Sequence, residues 1–281
     1  MTMMASFRAS LPQARWTIER FGLSPRKVRS RISDGEAPRV LCVSLPKAGT
    51  HLLERALCLH PRLYRKLWPT ISDENIGRWH GLDGLLPRVR PGQIVASHLR
   101  YRAEYPALLA SHGVRGVFLV RDPRDIVVSQ VHYVTARRDH RAHALLASLP
   151  DMKSRIRVAI EGDAHHRVAS IGERLERFAG WLDALLVVRF EDLIGQAGGG
   201  DARLQRNAVA SIYQHLGMDV DPTLLDSICV NLYSPDSPTF RRGSVGGWRS
   251  AFDDELTALF NDVVGDRGLP YGYSRSEAPD R

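Results

Sequence analysis

The chain has 281 residues, 43% of them hydrophobic, which is enough to bury one sizeable core and fits a single α/β domain with extensions better than two domains. Lysine and arginine outnumber aspartate and glutamate by 39 to 31, a net charge of +8, so an anionic ligand or surface is the natural partner. Cys42, Cys58 and Cys229 are isolated, which argues against a disulfide framework and a C-x-x-C zinc site; with no apolar run of about 18 residues and no compact secretory signal, a soluble cytoplasmic protein is expected.

Residues 1–37 form a basic N-terminal extension in which Arg8, Arg15, Arg20, Arg26, Lys27, Arg29 and Arg31 are interspersed with Leu11, Trp16, Ile18, Phe21 and Leu23. Such a segment suits a packed or frayed arm first, ahead of peripheral contact with an anionic membrane; an organelle-targeting peptide would share its composition. The domain proper is read as 38–273, with 274–281 a disordered tail. Its opening stretch, Arg39–Leu57, is a short apolar run that breaks at Pro46-Lys47-Ala48-Gly49-Thr50 and continues at once as a helical pattern. This predicts a buried strand, a tight loop and a helix N-terminus, where unpaired backbone N–H groups, the helix dipole and Lys47 together suit a phosphate or sulfate. The common phosphate-loop pattern is matched only in part, because here the lysine precedes the only glycine.

Pro61–Pro91 holds Trp68, Trp79 and several glycines without a steady period and predicts loops and short helices over the site. Gln93–Ser97 reads as a strand ending at His98, and Val114–Val120 as a strand ending at Arg121. Asp122-Pro123 opens a helix to Ala136. Val134–His166, dense in Arg and His, reads as a solvated basic lid or acceptor-facing loop. A helix is predicted over Gly172–Leu182, a strand over Leu185–Phe190, a loop over Gln196–Asp201, helices over Ala202–Leu216 and Pro222–Val230, a loop over Asp236–Trp248, and a last helix over Asp253–Val264. Strands alternating with helices predict an α/β fold whose central parallel sheet is flanked by helices.

Lys47, His98 and Arg121 all fall at the C-terminal ends of predicted parallel strands, the edge where open α/β sheets place ligands. Three further blocks accompany them: Arg121–Ser129 (RDPRDIVVS), RFEDL at 189–193 and FRRGSVGGW at 240–248. In this order the blocks resemble those of the sulfotransferases that use 3′-phosphoadenosine 5′-phosphosulfate (PAPS), over about Arg39 to Tyr273. The resemblance implies a fold like that of the phosphate-loop NTPases and sulfuryl transfer to a hydroxyl. It places the 5′-phosphosulfate on Lys47, Ala48, Gly49, Thr50, His51 and Leu52, and the 3′-phosphate on Arg121, Ser129, Arg241, Arg242 and Gly243. It also makes His98 the general base and sets Lys47 against charge growing on the leaving 3′,5′-bisphosphoadenosine (PAP), without a metal. Donor chemistry agrees, because an arginine fork can bond two phosphate oxygens at once.

Several positions depart from that family's pattern. Ala48 replaces a serine, His51 a threonine and Leu52 a tryptophan that stacks on adenine; Ala96 stands where many members carry a catalytic lysine, and Phe190 replaces a tyrosine that bonds the base. Tyr233 is a candidate for adenine stacking or a core tyrosine. The histidines at 140, 143, 165 and 166 lack a supporting ligand pattern, so no metal site is expected. The acceptor is open among small molecules, glycans and lipid-linked hydroxyl compounds, no nucleic-acid partner is expected, and the oligomeric state is open. Two rivals remain: a phosphate-loop kinase using ATP, for which no Mg²⁺-holding aspartate is recognisable, and a non-enzymatic polyanion-binding module, which gives His98 no role.

Overall fold

The computed structural model describes residues 11–33, 37–233 and 245–273. Helices α1 (Leu11–Arg20) and α2 (Pro25–Ser33) precede strand β1 (Arg39–Ser44) and helix α3 (Thr50–Cys58). Two short strands follow, β2 (Tyr64–Arg65) and β3 (Ile71–Ser72), then the one-turn helix α4 (Leu82–Leu85), β4 (Gln93–His98), α5 (Tyr105–Ser111), β5 (Val114–Val120) and α6 (Pro123–Ala136). Helices α7 (His143–Ser148), α8 (Met152–Glu161), α9 (Ile171–Phe178) and α10 (Trp181–Ala184) lead to β6 (Leu186–Arg189). The last elements are α11 (Phe190–Leu193), α12 (Ala202–His215), α13 (Pro222–Leu232) and α14 (Asp254–Val264).

All strand pairings are parallel, in the order β2-β4-β1-β5-β6, with β3 also pairing β4. The alternation of side chains along each strand divides the apolar residues between two cores. Leu41, Val43, Val95, Phe118 and Val120 pack on one face with α6, α8, α9 and α14. Val40, Cys42, Ile94, Val117 and Leu119 pack on the other with α3, α12 and α13. From β1 the chain crosses to β2 and β4 on one side and returns to β5 on the other, so the C-terminal end of β1 is the switch point where such sheets open a crevice.

Asp122, Asp201, Asp221 and Asp253 each accept a hydrogen bond from a backbone N–H of the first turn that follows, which starts α6, α12, α13 and α14 within one residue of the predicted starts. Four sequence readings need correction. Residues 61–91 contain the edge strands β2 and β3 as well as loops, each only two residues long and without a period to detect. Residues 134–166 are neither a loop nor solvated throughout: they include α7 and α8, Ile156, Ala159 and Ile160 of α8 are buried against the core, and Arg137 and His140 are among those that face the cleft described below. The helix predicted over 172–182 breaks after Phe178 and resumes as α10 at Trp181. Finally, Phe190 begins α11 and does not end β6.

The basic extension packs on α3. Glu54 of α3 is buried and pairs with Arg20 of α1 at 2.5 Å and Arg65 of β2 at 2.9 Å. Burial pushes the Glu54 pKa up, but the hydrogen bond from His51 and the charges of Arg65 and Arg20 outweigh it and hold the carboxyl below its ordinary value. Lys27 of α2 is also buried and donates to the carbonyls of Cys58, His60 and Leu63, satisfying oxygens that the end of α3 leaves open.

Candidate active site

Above the C-terminal edge of β1 lies a cleft of about 1430 Å³. The loop Leu45–Gly49 forms its floor. Its tight course puts Lys47 at φ 75° and Gly49 at φ 107°, and a Cβ on Gly49 would stand 2.5 Å from the Phe190 ring, so position 49 tolerates glycine alone. Ser44 Oγ and Thr50 Oγ1, 2.7 Å apart, tie the strand end to the helix start. Gly49 caps α3 without a side-chain acceptor, and the N–H groups of Lys47, Gly49, Thr50 and His51 have no hydrogen-bond partner among the described residues. Such a set of donors at a helix N-terminus fits an oxyanion. Ala48 differs from its neighbours: its side chain is wholly buried, and its N–H is used on Leu45 O at 3.0 Å.

The Lys47 ammonium lies 3.8 Å from the centre of the Tyr133 ring of α6. Burial, reinforced by the charges of Arg121 and Arg137, lowers its pKa to about 8, so it remains mostly charged at neutral pH. Arg121 leaves the end of β5 with its guanidinium 4.2 Å over the Phe190 ring, donates to Lys47 O at 3.4 Å and approaches Asp125 at 3.7 Å. Ser129 lies one helical turn beyond Asp125 on α6 and lines the same cleft, as do His51, Leu52, Phe190 and Tyr233.

His98 closes β4. Its Nδ1–H donates to Ser44 O at 2.8 Å, which assigns the tautomer and leaves the lone pair on Nε2. Burial pulls its pKa down to about 4, with the charges of His51, Arg174 and Lys47 adding to the fall and the Ser44 hydrogen bond opposing it, so the imidazole is neutral at pH 7.

Arg241, Arg242 and Gly243 lie outside the described residues. The chain that follows them is anchored: Asp125, buried on α6, accepts from the N–H groups of Gly246 and Trp248, both at 2.9 Å. The Trp248 ring stacks 4.0 Å from Arg124, itself paired with Asp122 at 2.8 Å. Glu191 of the RFEDL block accepts from the Asp122 N–H at 2.8 Å and from the Tyr273 hydroxyl at 2.7 Å, so this block holds the start of α6 in place. Asp125→Ala is expected to cost about 1.5–3 kcal/mol of stability, the range for hydrogen bonds to a charged group. A chemical-denaturation midpoint equal to that of the unaltered protein would mean that the anchor at 246–248 contributes nothing.

Sequence reasoning missed three contributors. Asp125 carries a faint signal, standing four residues after Arg121. Tyr133 and Arg174 carry none; Arg174 looks like one more arginine on a charged helix, yet it lines the cleft and donates to Pro46 O at 2.9 Å. Of the histidines considered for a metal, His143 donates Nδ1–H to Val134 O at 3.0 Å, and His166 is 3.1 Å from Asp163. Among the described residues no three His, Cys, Asp or Glu side chains converge as metal ligands.

The family described as the sulfotransferase domain matches residues 37–268, most of the chain and every described element of the cleft. The chain belongs to the sulfotransferase family. It is 23% identical over 266 residues to sulfotransferase 2A1 of Rattus norvegicus, covering 83% of this chain and 86% of that protein. Its fold is similar to that of mouse sulfotransferase SULT7A1, solved in complex with PAP, at a TM-score of 0.61 and 18% identity, covering 89% and 94% of the two chains. Retinol dehydratase, solved with retinol and PAP, gives a TM-score of 0.56 and 16% identity over 87% and 86%. In this sulfotransferase no helix among the described residues is long and apolar enough to cross a membrane.

Proposed function

We propose that this sulfotransferase moves a sulfuryl group from PAPS to an acceptor hydroxyl, with His98 as general base. The observation that carries the reading is the convergence on one cleft of the loop around Lys47, of Arg121 with Ser129, and of the half-buried imidazole of His98. The unpartnered N–H groups of the loop and Lys47 fit a 5′-phosphosulfate, and Arg121 with Ser129 fits a 3′-phosphate. The reading also assigns the 3′-phosphate to Arg241 and Arg242, which lie outside the described residues and precede the chain that Asp125 anchors at Gly246 and Trp248. Tyr233 offers aromatic surface in the cleft, whereas Phe190, almost fully buried beneath Arg121, and Ala48 contribute their fit to the core.

PAPS, when bound, supplies the sulfuryl group and a bisphosphate leaving group. His98 Nε2 takes the proton of the acceptor hydroxyl as that oxygen bonds to sulfur. Lys47 stabilises the electron pair that the breaking sulfur–oxygen bond leaves on the 5′-phosphate, an electrostatic service that fixed groups perform without reorganisation. No covalent enzyme intermediate is required.

The outer wall of the cleft carries Asp73, Glu74, Arg100, Arg141 and Arg177, which favours a polar hydroxyl compound over an apolar one. The test is incubation with ³⁵S-labelled PAPS and an extract fractionated by polarity, with the labelled product identified by mass spectrometry. Label appearing in a polar hydroxyl compound is the expected result, and no transfer to any fraction would contradict the reading. Peripheral membrane contact by the extension would fall to Ile18, Leu23 and Val28, which are exposed, because Arg20 and Lys27 are turned into the domain.

A further inference from the structure

Arg174 stands where a charge has consequences, yet no carboxylate answers it. It projects from α9 into the wall of the cleft and donates one N–H to Pro46 O at 2.9 Å, the carbonyl that immediately precedes Lys47. Three neighbouring arginines of the cleft have acidic partners: Arg177 has Glu173 at 3.6 Å, Arg121 has Asp125 at 3.7 Å and Arg100 has Asp73 at 3.6 Å. Arg174 has none among the described residues. The cleft leaves part of it reachable while the surrounding protein strips away most of its water, and this burial alone lowers its pKa to about 10. A guanidinium desolvated and unpaired is costly unless an anion completes it.

The location narrows which anion that is. Arg174 bonds the phosphate loop at its first turn and lines the same cleft as His98, near enough for its charge to be felt by that ring. Residue 96, where the resemblance leads one to expect a lysine two positions before the histidine, is a buried alanine. The cation that β4 lacks is available from α9.

We propose that Arg174 is a catalytic residue that grips the non-bridging oxygens of the sulfuryl group during its transfer. This rests on the PAPS reading. During transfer the acceptor oxygen bonds to sulfur and gives its proton to His98. The bond from sulfur to the 5′-phosphate oxygen breaks with its electron pair staying on that phosphate, and the three remaining oxygens carry negative charge throughout. A planar fork with one donor committed to Pro46 keeps others for those oxygens. The same chemistry would serve a carboxylate or phosphate on the acceptor, so the decisive measurement uses no acceptor other than water.

The test compares wild type with Arg174→Met and Arg174→Gln in two assays: calorimetric affinity for PAP and for PAPS, and the slow breakdown of PAPS by water to PAP and sulfate. PAP affinity is expected to stay within about twofold, PAPS affinity to fall, and breakdown to slow by about 10²–10³-fold, the usual loss for one oxyanion donor. Arg174→Gln keeps a donor for Pro46 and decides the matter if the methionine variant does not fold. PAPS breakdown at the wild-type rate would overturn the proposal and leave an anionic acceptor group as the ligand of Arg174. Equal loss of PAP and PAPS affinity would overturn it too, assigning Arg174 to the bisphosphate. A wild-type protein that binds neither nucleotide would instead refute the PAPS reading itself.

Discussion

Replacing His98 by alanine is expected to lower turnover by about 10²–10⁴-fold, the range for loss of a general base, while leaving PAP affinity almost unchanged. The separation follows from geometry: the ring is spent on Ser44 O through Nδ1, and only Nε2 is offered to the cleft. The pH profile is a second readout. Because burial depresses the His98 pKa to about 4, its lone pair is available throughout the neutral range and is lost only as pH falls through that value. The profile of kcat/KM should therefore be flat from neutrality down to about pH 5 and fall beyond it, and the His98→Ala protein should lack this acid limb. An acid limb at the ordinary imidazole value of about 6.5 would show that His98 is more hydrated than its packing implies.

Lys47→Ala should damage binding and turnover together, since on the proposed reading one ammonium serves both the bound donor and the leaving phosphate. The expected loss in kcat/KM is about 10²–10³-fold, comparable with removal of one preorganised charge-stabilising donor. The depressed pKa gives the residue a signature. With a value of about 8, the Lys47 charge is present below that pH and fades above it, so kcat/KM should fall on the basic side near pH 8. Loss of that basic limb in Lys47→Ala, with the limb retained in a control at an exposed lysine, would assign it. A variant with intact PAP affinity would remove Lys47 from the site.

Much of this cleft is legible in the sequence, because its residues are those whose local signals are strongest. An apolar run that ends in Pro-Lys-Ala-Gly-Thr specifies β1, its loop and α3, and the apolar stretches ending at His98 and Arg121 are recognisable as buried parallel strands. Aspartate followed by proline marks the start of α6 and α13 from chemistry alone. What cannot be read is whatever depends on distant packing. Strands β2 and β3 exist because β4 offers an edge, and nothing in two residues announces them. Helix α8 is amphipathic, but the arginines around it in 134–166 mask the apolar face that meets α6 and α14.

The same reason explains the site residues that sequence missed. Asp125 and Gly246 are 121 positions apart, and Arg174 lies 128 from Pro46; only the closed sheet brings either pair together. The basic extension is a parallel case. As a sequence its charges suggest a surface arm, whereas Arg20 and Lys27 are committed to Glu54 and to the carbonyls at the end of α3. Burial with partners turns those charges into structural elements.

The central claim is a cleft with two phosphate ends, and isothermal calorimetry against three nucleotides tests it most directly. On the proposed reading PAP engages both the loop around Lys47 and the Arg121–Ser129 end, whereas 5′-AMP and ATP lack the 3′-phosphate. Each hydrogen bond to a charged group is worth about 1.5–3 kcal/mol, so PAP should bind at least about tenfold more tightly than either competitor, and Arg121→Ala should remove most of that advantage. Equal affinity for PAP and 5′-AMP would contradict the account.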